Sequence, residues 1–394
     1  MNAVTSQETT AINQAVKVDP HKGQRIGVVS SQWFNRSDDQ RFLSLTDLEE
    51  SVSARSISAK QEIIDVNGIE IRAKSGDAET LKVTFEDKEL DATHWSFGQM
   101  ASLAGAPAGY LRKLPSVIAG INLQYGLQNL RSENVKMFYS PEQNQVLAAT
   151  GTVYGRVYDW ELVKAVRKIA GDGTGDTRWK VPGAINWSNM TYNPNVNITK
   201  DTTTLYASDR DVFMFLVDDT HPIEIGKLPN GDPDYVMRGF YVWNSEVGSK
   251  TLGISTFLFR AVCQNRNIWG AQDISEITIR HSKNAPQRFA AEVEPALLEY
   301  SNASDKGIII GIQNAKSAIV ARSDDDRLQF LGKQGFSAKQ AQKIIDRVVT
   351  EEGTKPESVW DFVQGITAIA RDIGHTDDRI TLERQAGNLL RKAA

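Results

Sequence analysis

Arg260 stands where the pattern around it calls for an apolar residue. Along Thr251–Gln264, read as one strand, Leu252, Ile254, Leu258 and Val262 share a face, and Arg260 falls among them. An unpaired buried charge is costly, so this guanidinium must meet a carboxylate or a bound anion, or reach past the sheet edge into water. A structural ion pair is the simpler reading, because buried arginines are usually paired. The second reading is anion binding. Arg266, Arg280, His281, Lys283 and Arg288 follow, against only Asp273 and Glu276. If the strands carrying Arg260 and Arg280 pair, two guanidinium forks could approach one groove and track a phosphate backbone, with Asn265 and Asn267 adding neutral hydrogen bonds. In that reading Arg260, Arg280 and Lys283 contact phosphate, Arg266 adds to the local positive charge, Asn265 and His281 position the strand, and Trp269 stacks on an unpaired base.

Other residues suggest other chemistry with less support. Tyr154, Tyr158 and Trp160 lie in an earlier basic segment with Arg156, Lys164, Arg167 and Lys168, but large aromatics in a β-rich region are expected chiefly in the core. Asp209, Asp211, Asp218 and Asp219 bracket a predicted strand and could hold the magnesium of a nuclease; strand-end aspartates are ordinarily turn formers. Cys263 and His281 could form a thiolate–imidazole pair, though a lone cysteine in an apolar strand is ordinarily core. His21, His94, His221, His281 and His375 show no metal-ligand spacing. The Gly171–Gly175 run follows a helix instead of a strand and carries acids that would repel a pyrophosphate. Gly248-Ser249-Lys250-Thr251 lacks the glycine that precedes the lysine of a P-loop. No catalytic residue, metal site or cofactor is assigned, and an enzyme is less expected than a binding protein.

The elements that must position these residues predict an α+β fold. Its parts are a central antiparallel or mixed sheet, an inserted helical segment and a helical C-terminal region. Residues 1–60, poor in apolar runs, are expected to be a flexible arm, 61–301 an α+β core domain and 302–394 the helical region. Ile63–Val66 and Ile69–Arg72 flank Asn67-Gly68, which predicts a tight hairpin. Helices are predicted across Ser96–Asn129 and from Trp160 to Ala170. Strands are predicted at Thr203–Ala207, Val212–Val217, Met237–Trp243, Thr251–Gln264 and Glu276–His281. Ser337 and Gln340 form a capping box, and Asp324–Asp326 suit a helix start.

Bulk properties set limits. The chain has 394 residues, 40% hydrophobic and 24% charged, a net charge of −4 and one cysteine. No disulfide framework is available, which suits a cytoplasmic setting, and phosphate binding would have to come from a local patch. No stretch approaches the roughly 18 to 20 apolar residues of a membrane span, and Met1–Pro20 lacks the blocks of a signal peptide.

Several short motifs occur in a characteristic order. They are Phe97–Met100 with Ala108–Pro115, Val153-Tyr154-Gly155-Arg156-Val157-Tyr158, Ser208–Phe215, Trp243-Asn244-Ser245-Glu246-Val247-Gly248, Phe259–Asn265 with Ile279–His281, and Val359–Thr367. In this the chain resembles a phage- and plasmid-borne family, domain of unknown function family 932, over roughly residues 95–390. The chain departs from the family after Cys263, where Gln264-Asn265-Arg266-Asn267 stands in place of Asn-Gly. The resemblance implies work on mobile elements, and with the basic cluster it leads to the expectation of single-stranded DNA binding or annealing in replication or recombination. The alternatives are a protein-interaction or regulatory module, using helices at Ser337–Thr350 and Glu357–Ile373, and a metal-dependent nuclease. A homo-oligomer is compatible with each, and no membrane partner is expected.

Overall fold

The computed structural model describes residues 37–74, 80–130, 132–181, 185–186, 191–192, 199–200, 203–228, 230–260, 265–267, 276–373 and 376–393. Within them the chain is mixed α+β and builds two sheets. After β1 (Arg41–Phe42) and α1 (Leu45–Ser58), the first sheet takes β2 (Lys60–Asp65), β3 (Ile69–Ala73), β4 (Leu81–Phe85), β5 (Lys88–Ala92), β6 (Asn134–Ser140) and β7 (Gln145–Gly151). Three helices are inserted between β5 and β6: α2 (His94–Leu103), α3 (Ala108–Leu111) and α4 (Ser116–Gln128).

The predicted hairpin at Asn67-Gly68 is not formed. The strand order is β2-β6-β7-β5-β4-β3, so β2 and β3 occupy opposite ends of the sheet. A primed turn needs positive φ at its central residues, and neither Asn67 nor Gly68 adopts it. Instead the Asp65 carboxylate accepts from the Asn67 backbone N–H at 2.8 Å, and Val66–Gly68 form one 3-10 turn. The positive φ falls at Glu86 (50°) and Asn144 (53°), in the connections β4–β5 and β6–β7. Residues 65 to 69 span at most about 14 Å, whereas the edges of a flat six-stranded sheet lie about 24 Å apart. The sheet must therefore curl. Helix α4 covers its β3 edge, where the Gln124 side chain donates to the Ile69 carbonyl (2.9 Å) and accepts from the Ile71 N–H (2.7 Å), as a neighbouring strand would.

Helix α5 (Asp159–Ala170) leads to β8 (Trp179–Lys180), β9 (Ile185–Asn186), β10 (Thr191–Tyr192), β11 (Leu205–Ala207), β12 (Val212–Asp218), β13 (Ile223–Lys227), β14 (Pro233–Asn244), β15 (Leu252–Arg260), β16 (Asn265–Asn267) and β17 (Glu276–Ile279). All but the separate β9–β10 pair join one antiparallel sheet with the path β1-β11-β12-β14-β15-β16. Period-two alternation sorts its side chains. Met214, Leu216, Phe240, Val242 and Ile254 share a core with α1, α5 and α6 (Ala285–Asn302), while Phe213, Phe215, Tyr241 and Phe257 form an aromatic cluster of their own. The remaining helices are α7 (Lys306–Ser317), α8 (Asp324–Lys333), α9 (Ala338–Glu352), α10 (Val359–Arg371) and α11 (Thr376–Ala393). They build a third core with Ile223, Ile225, Val236 and Leu258 of the sheet. No described helix is long and apolar enough to cross a membrane.

The expected arm to residue 60 contains β1 and α1. Ser44 caps α1 by accepting from the Asp47 N–H, and Leu45, Leu48 and Val52, at i, i+3 and i+7, are buried in the core of the second sheet. Leu48→Ala is expected to cost about 2–5 kcal/mol through lost burial and the cavity left behind. Urea unfolding followed by tryptophan fluorescence checks this; an unchanged midpoint would mean that α1 rests on the core without contributing to it.

Candidate functional site

Three of the motif segments, those around Gln99, Tyr154–Arg156 and Arg210, meet at the turn after β14. The Val247 carbonyl accepts from Trp95 Nε1 (3.0 Å) and Gln99 Nε2 (2.8 Å), both of α2. The Ser245 hydroxyl donates to the Arg210 carbonyl at 2.6 Å, and the Ser245 carbonyl accepts from the Tyr154 hydroxyl at 3.3 Å. Asn244 Nδ2 donates to the Val157 carbonyl (2.8 Å) and to Asp159 Oδ1 (2.9 Å). Gly248 closes the turn at φ 86°, a conformation that suits glycine.

Beneath the turn, one guanidinium faces two carboxylates. Arg55 reaches from α1 to Asp159 Oδ2 at 2.9 Å and Glu246 Oε1 at 3.3 Å, and Glu246 Oε2 accepts from the Asp159 backbone N–H at 3.1 Å. Both carboxylates are buried. Burial and then the Glu246 charge push Asp159 up to about 8, against the pull of Arg55 and Asn244. The carboxyl is held between burial, which favours its neutral form, and the Arg55 and Asn244 donors, which favour its charged form.

On the neighbouring loop, Gly155 lies against residues 281–282. Its N–H donates to the His281 carbonyl and its carbonyl accepts from His281 Nδ1, each at 3.2 Å. A Cβ on Gly155 would stand 2.0 Å from the Ser282 carbonyl oxygen, so only glycine fits. The Tyr154 and His281 rings stack with centroids 5.1 Å apart. Arg156 lies over Phe138 at 4.0 Å, donates from Nε to Gln61 at 2.8 Å and from Nη1 to the Glu246 carbonyl, while its Nη2 is buried without a hydrogen-bond partner. Burial, with Arg156 adding to it, holds His281 below the ordinary imidazole range, against the backbone hydrogen bonds at Gly155 and Lys250. Lys136 donates to the Tyr154 carbonyl at 2.7 Å, and Arg280 and Lys283 are exposed beside His281 in the chain. Tyr154 and Arg156 thus meet the sequence-predicted His281, whose chain neighbours Arg280 and Lys283 are exposed.

Arg260 stands apart from that place. It makes two hydrogen bonds to Asp234 (2.9 and 3.0 Å) and one each to Glu352 (2.7 Å) and Gln364 (3.2 Å). The pair at Arg260 is thus made within the protein. β15 pairs with β17 as expected, but the register sets Leu252 opposite Ile279 and Arg260 opposite Asn265. Eight residues along β15, about 27 Å, separate Arg260 from the strand end that carries Arg280, and the two do not share a groove. Asn265 and Arg266 lie on β16 through their backbones; Trp269 and Cys263 fall outside the described residues.

The four aspartates also divide. Asp211 accepts from Ser208 at 2.7 Å at one end of β12, while at the other Asp218 pairs with Arg178 (2.6 Å) and Asp219 with Lys180 (2.5 Å). Among the described residues no group of three potential ligands forms a metal site. The apolar faces of the C-terminal helices, with Ile344, Ile345, Val348, Phe362, Val363 and Ile366, are buried against one another. The Arg55–Asp159–Glu246 group was not anticipated. Asp159 and Glu246 lie in or beside quoted motifs, whereas nothing around Arg55 in sequence marks it.

Two measurements test these assignments. Arg260→Ala takes the guanidinium from Glu352 and leaves Asp234 only Lys316 at 3.6 Å, and is expected to destabilise by about 3 kcal/mol; a urea midpoint within error of the parent would refute the pairing. For Asp159, an unfolded value near 3.9 lies below the folded one of about 8, so between them the folded state binds more protons. Its stabilising contribution is complete below about pH 4 and falls away as pH rises to about 8. Asp159→Asn lacks that fall, so melting temperatures recorded from pH 4 to 8 should shift in its favour, relative to the parent, as pH rises. Parallel curves would show that the carboxyl does not hold its proton.

No curated protein and no solved structure matches the chain. A family model does, over residues 195–307, from just before β11 through β17 and α6. Its boundaries enclose Ser208–Asp211, the turn at Ser245–Gly248 and residues 280–283, and over this portion the chain matches the family described as Domain of unknown function (DUF932).

Proposed function

We propose that the protein binds single-stranded DNA where the Gly151–Tyr158 loop meets residues 280–283, and that it does so in the cytoplasm, in strand annealing during replication or recombination of mobile elements. The observation that carries the reading is the Tyr154–His281 stack beside the exposed Arg280 and Lys283. Unpaired bases need aromatic surface and their phosphates need cations, and sequence-independent single-strand binding uses the two together. Lys136 and Arg156 add positive charge behind the stack. Arg260 has no part in this surface. Nothing in the reading requires bond cleavage, and the aspartates that a nuclease would gather are split between the two ends of β12.

Fluorescence anisotropy with labelled single-stranded and duplex oligonucleotides across a salt series tests it. Each lost phosphate contact lowers the log–log salt slope by roughly 0.7 for single strands. Arg280→Ala with Lys283→Ala is therefore expected to make the slope shallower by about 1 to 1.5 and to weaken binding. The exposed Lys339 and Lys343 of α9 serve as controls whose replacement should leave it unchanged. Absence of single-strand binding at low salt would end the proposal, and loss of label only with magnesium would replace it with a nuclease.

A further inference from the structure

Helix α4, Ser116–Gln128, contains no charged residue. Its inner side is fully used. Ala119, Leu123 and Leu127 are buried in the core of the first sheet, Gly120 lies so close to the sheet that a Cβ would stand 3.0 Å from Leu81, and at Gly126 a Cβ would be 2.5 Å from Ala104. The outer side is apolar as well. Val117 is 51% exposed, Ile118 47%, Ile121 64% and Tyr125 70%, and Tyr110 of α3 is 60% exposed. At about 100° per residue, residues 117, 118, 121, 122, 125, 128 and 129 fall within one exposed arc of roughly 140°. Contiguous exposed apolar surface of this kind marks an interaction site.

We infer that this face is the contact between two copies of the chain. It lacks what the other classes of partner would require. A nucleic acid or an anionic membrane surface would call for cations along the helix, and there are none. The residue spacing fits a two-fold axis. Val117 lies four residues before Ile121, as Tyr125 lies four after it, with Ile118 beside Val117. Antiparallel packing about Ile121 therefore sets Ile121 on its own copy and Tyr125 on the Val117–Ile118 pair of the other, twice over. Since the face is neutral, no like charges meet, and charge depletion is the mark of an interface centre. The exposed parts of these side chains, with Asn122 and Asn129 at the rim, amount to roughly 500 Å² per copy. The roughly 1,000 Å² of a pair lies at the lower limit for a specific contact, so the dimer is expected to form in the micromolar range. This surface shares no residue with the DNA surface proposed above and stands or falls separately.

Sedimentation velocity of the full chain from about 1 to 100 µM is the test, with Ile121→Glu alongside. The expected result is a concentration-dependent dimer in the parent and a monomer in the variant, with equal far-ultraviolet circular dichroism. Should Ile121→Glu fail to fold, Ile121→Cys in a Cys263→Ser background gives a second route, because a residue on the axis should form an intermolecular disulfide on mild oxidation, whereas Lys343→Cys in the same background should not. A parent chain that is monomeric throughout, or a dimer that persists in Ile121→Glu, or equal crosslinking at both cysteine positions, would overturn the inference and leave the face to a different partner.

Discussion

Removing two carboxylates from water beneath the turn after β14 is tolerated because Arg55 reaches both, Asn244 donates to Asp159 and the Asp159 N–H donates to Glu246. Arg55, Asp159 and Glu246 come from α1, the start of α5 and the turn itself, so the charge balance requires those elements to be in place together. The same turn receives Trp95 and Gln99 from α2, which ties the first sheet to the second, and Tyr154 and Arg156 from the loop between them. This arrangement gives a physical reason for the order of the motifs. Three of them, around Gln99, Tyr154–Arg156 and Arg210, are far apart in the chain and adjacent in space at one buried turn, where Gln99, Tyr154 and Arg156 satisfy its carbonyls and Ser245 satisfies that of Arg210.

What could be read beforehand followed the strength of local signals. The strands at Val212–Asp218, Pro233–Asn244 and Leu252–Arg260 were legible because β-branched and aromatic residues dominate both of their faces, and the capping box at Ser337 because it is a contact within four residues. Asn67-Gly68 misled for a complementary reason. The dipeptide permits a primed turn but does not compel it, and the pairing of β2 with β6 and of β3 with β4 decided the matter from a distance. Helix α1 was missed since its apolar positions, Leu45, Leu48 and Val52, are few and sit among polar residues in a segment whose composition resembles an arm.

At the site, the alternation around Arg260 posed the correct alternatives, a carboxylate or an anion, and contacts 26 and 92 residues away in sequence show Asp234 and Glu352 as its partners. Register was the information lacking for Arg280. Two strands that pair bring together only residues opposite one another, and a strand as long as β15 can hold two arginines at separate ends of the molecule. The stack of Tyr154 on His281 was equally hidden, as it depends on a glycine, Gly155, whose lack of a side chain matters only when Ser282 is known to lie against it.

Much of the chain's positive charge is spent internally. Arg55, Arg238, Arg260 and Arg327 each meet carboxylates or carbonyls inside the fold, and Arg156 lies against Phe138 and the Glu246 carbonyl. In a protein of net charge −4, the exposed cations beside the Tyr154–His281 stack in the proposed surface are Arg280 and Lys283. A patch with so few cations holds a strand weakly and yields readily to salt. Joining two copies through a neutral helix face would place two such patches on one particle without bringing further charge together, and the second contact would then form at an effective concentration set by the dimer. The two proposed surfaces, one cationic and one uncharged, would in this way complement each other, the first touching the strand and the second doubling the contact.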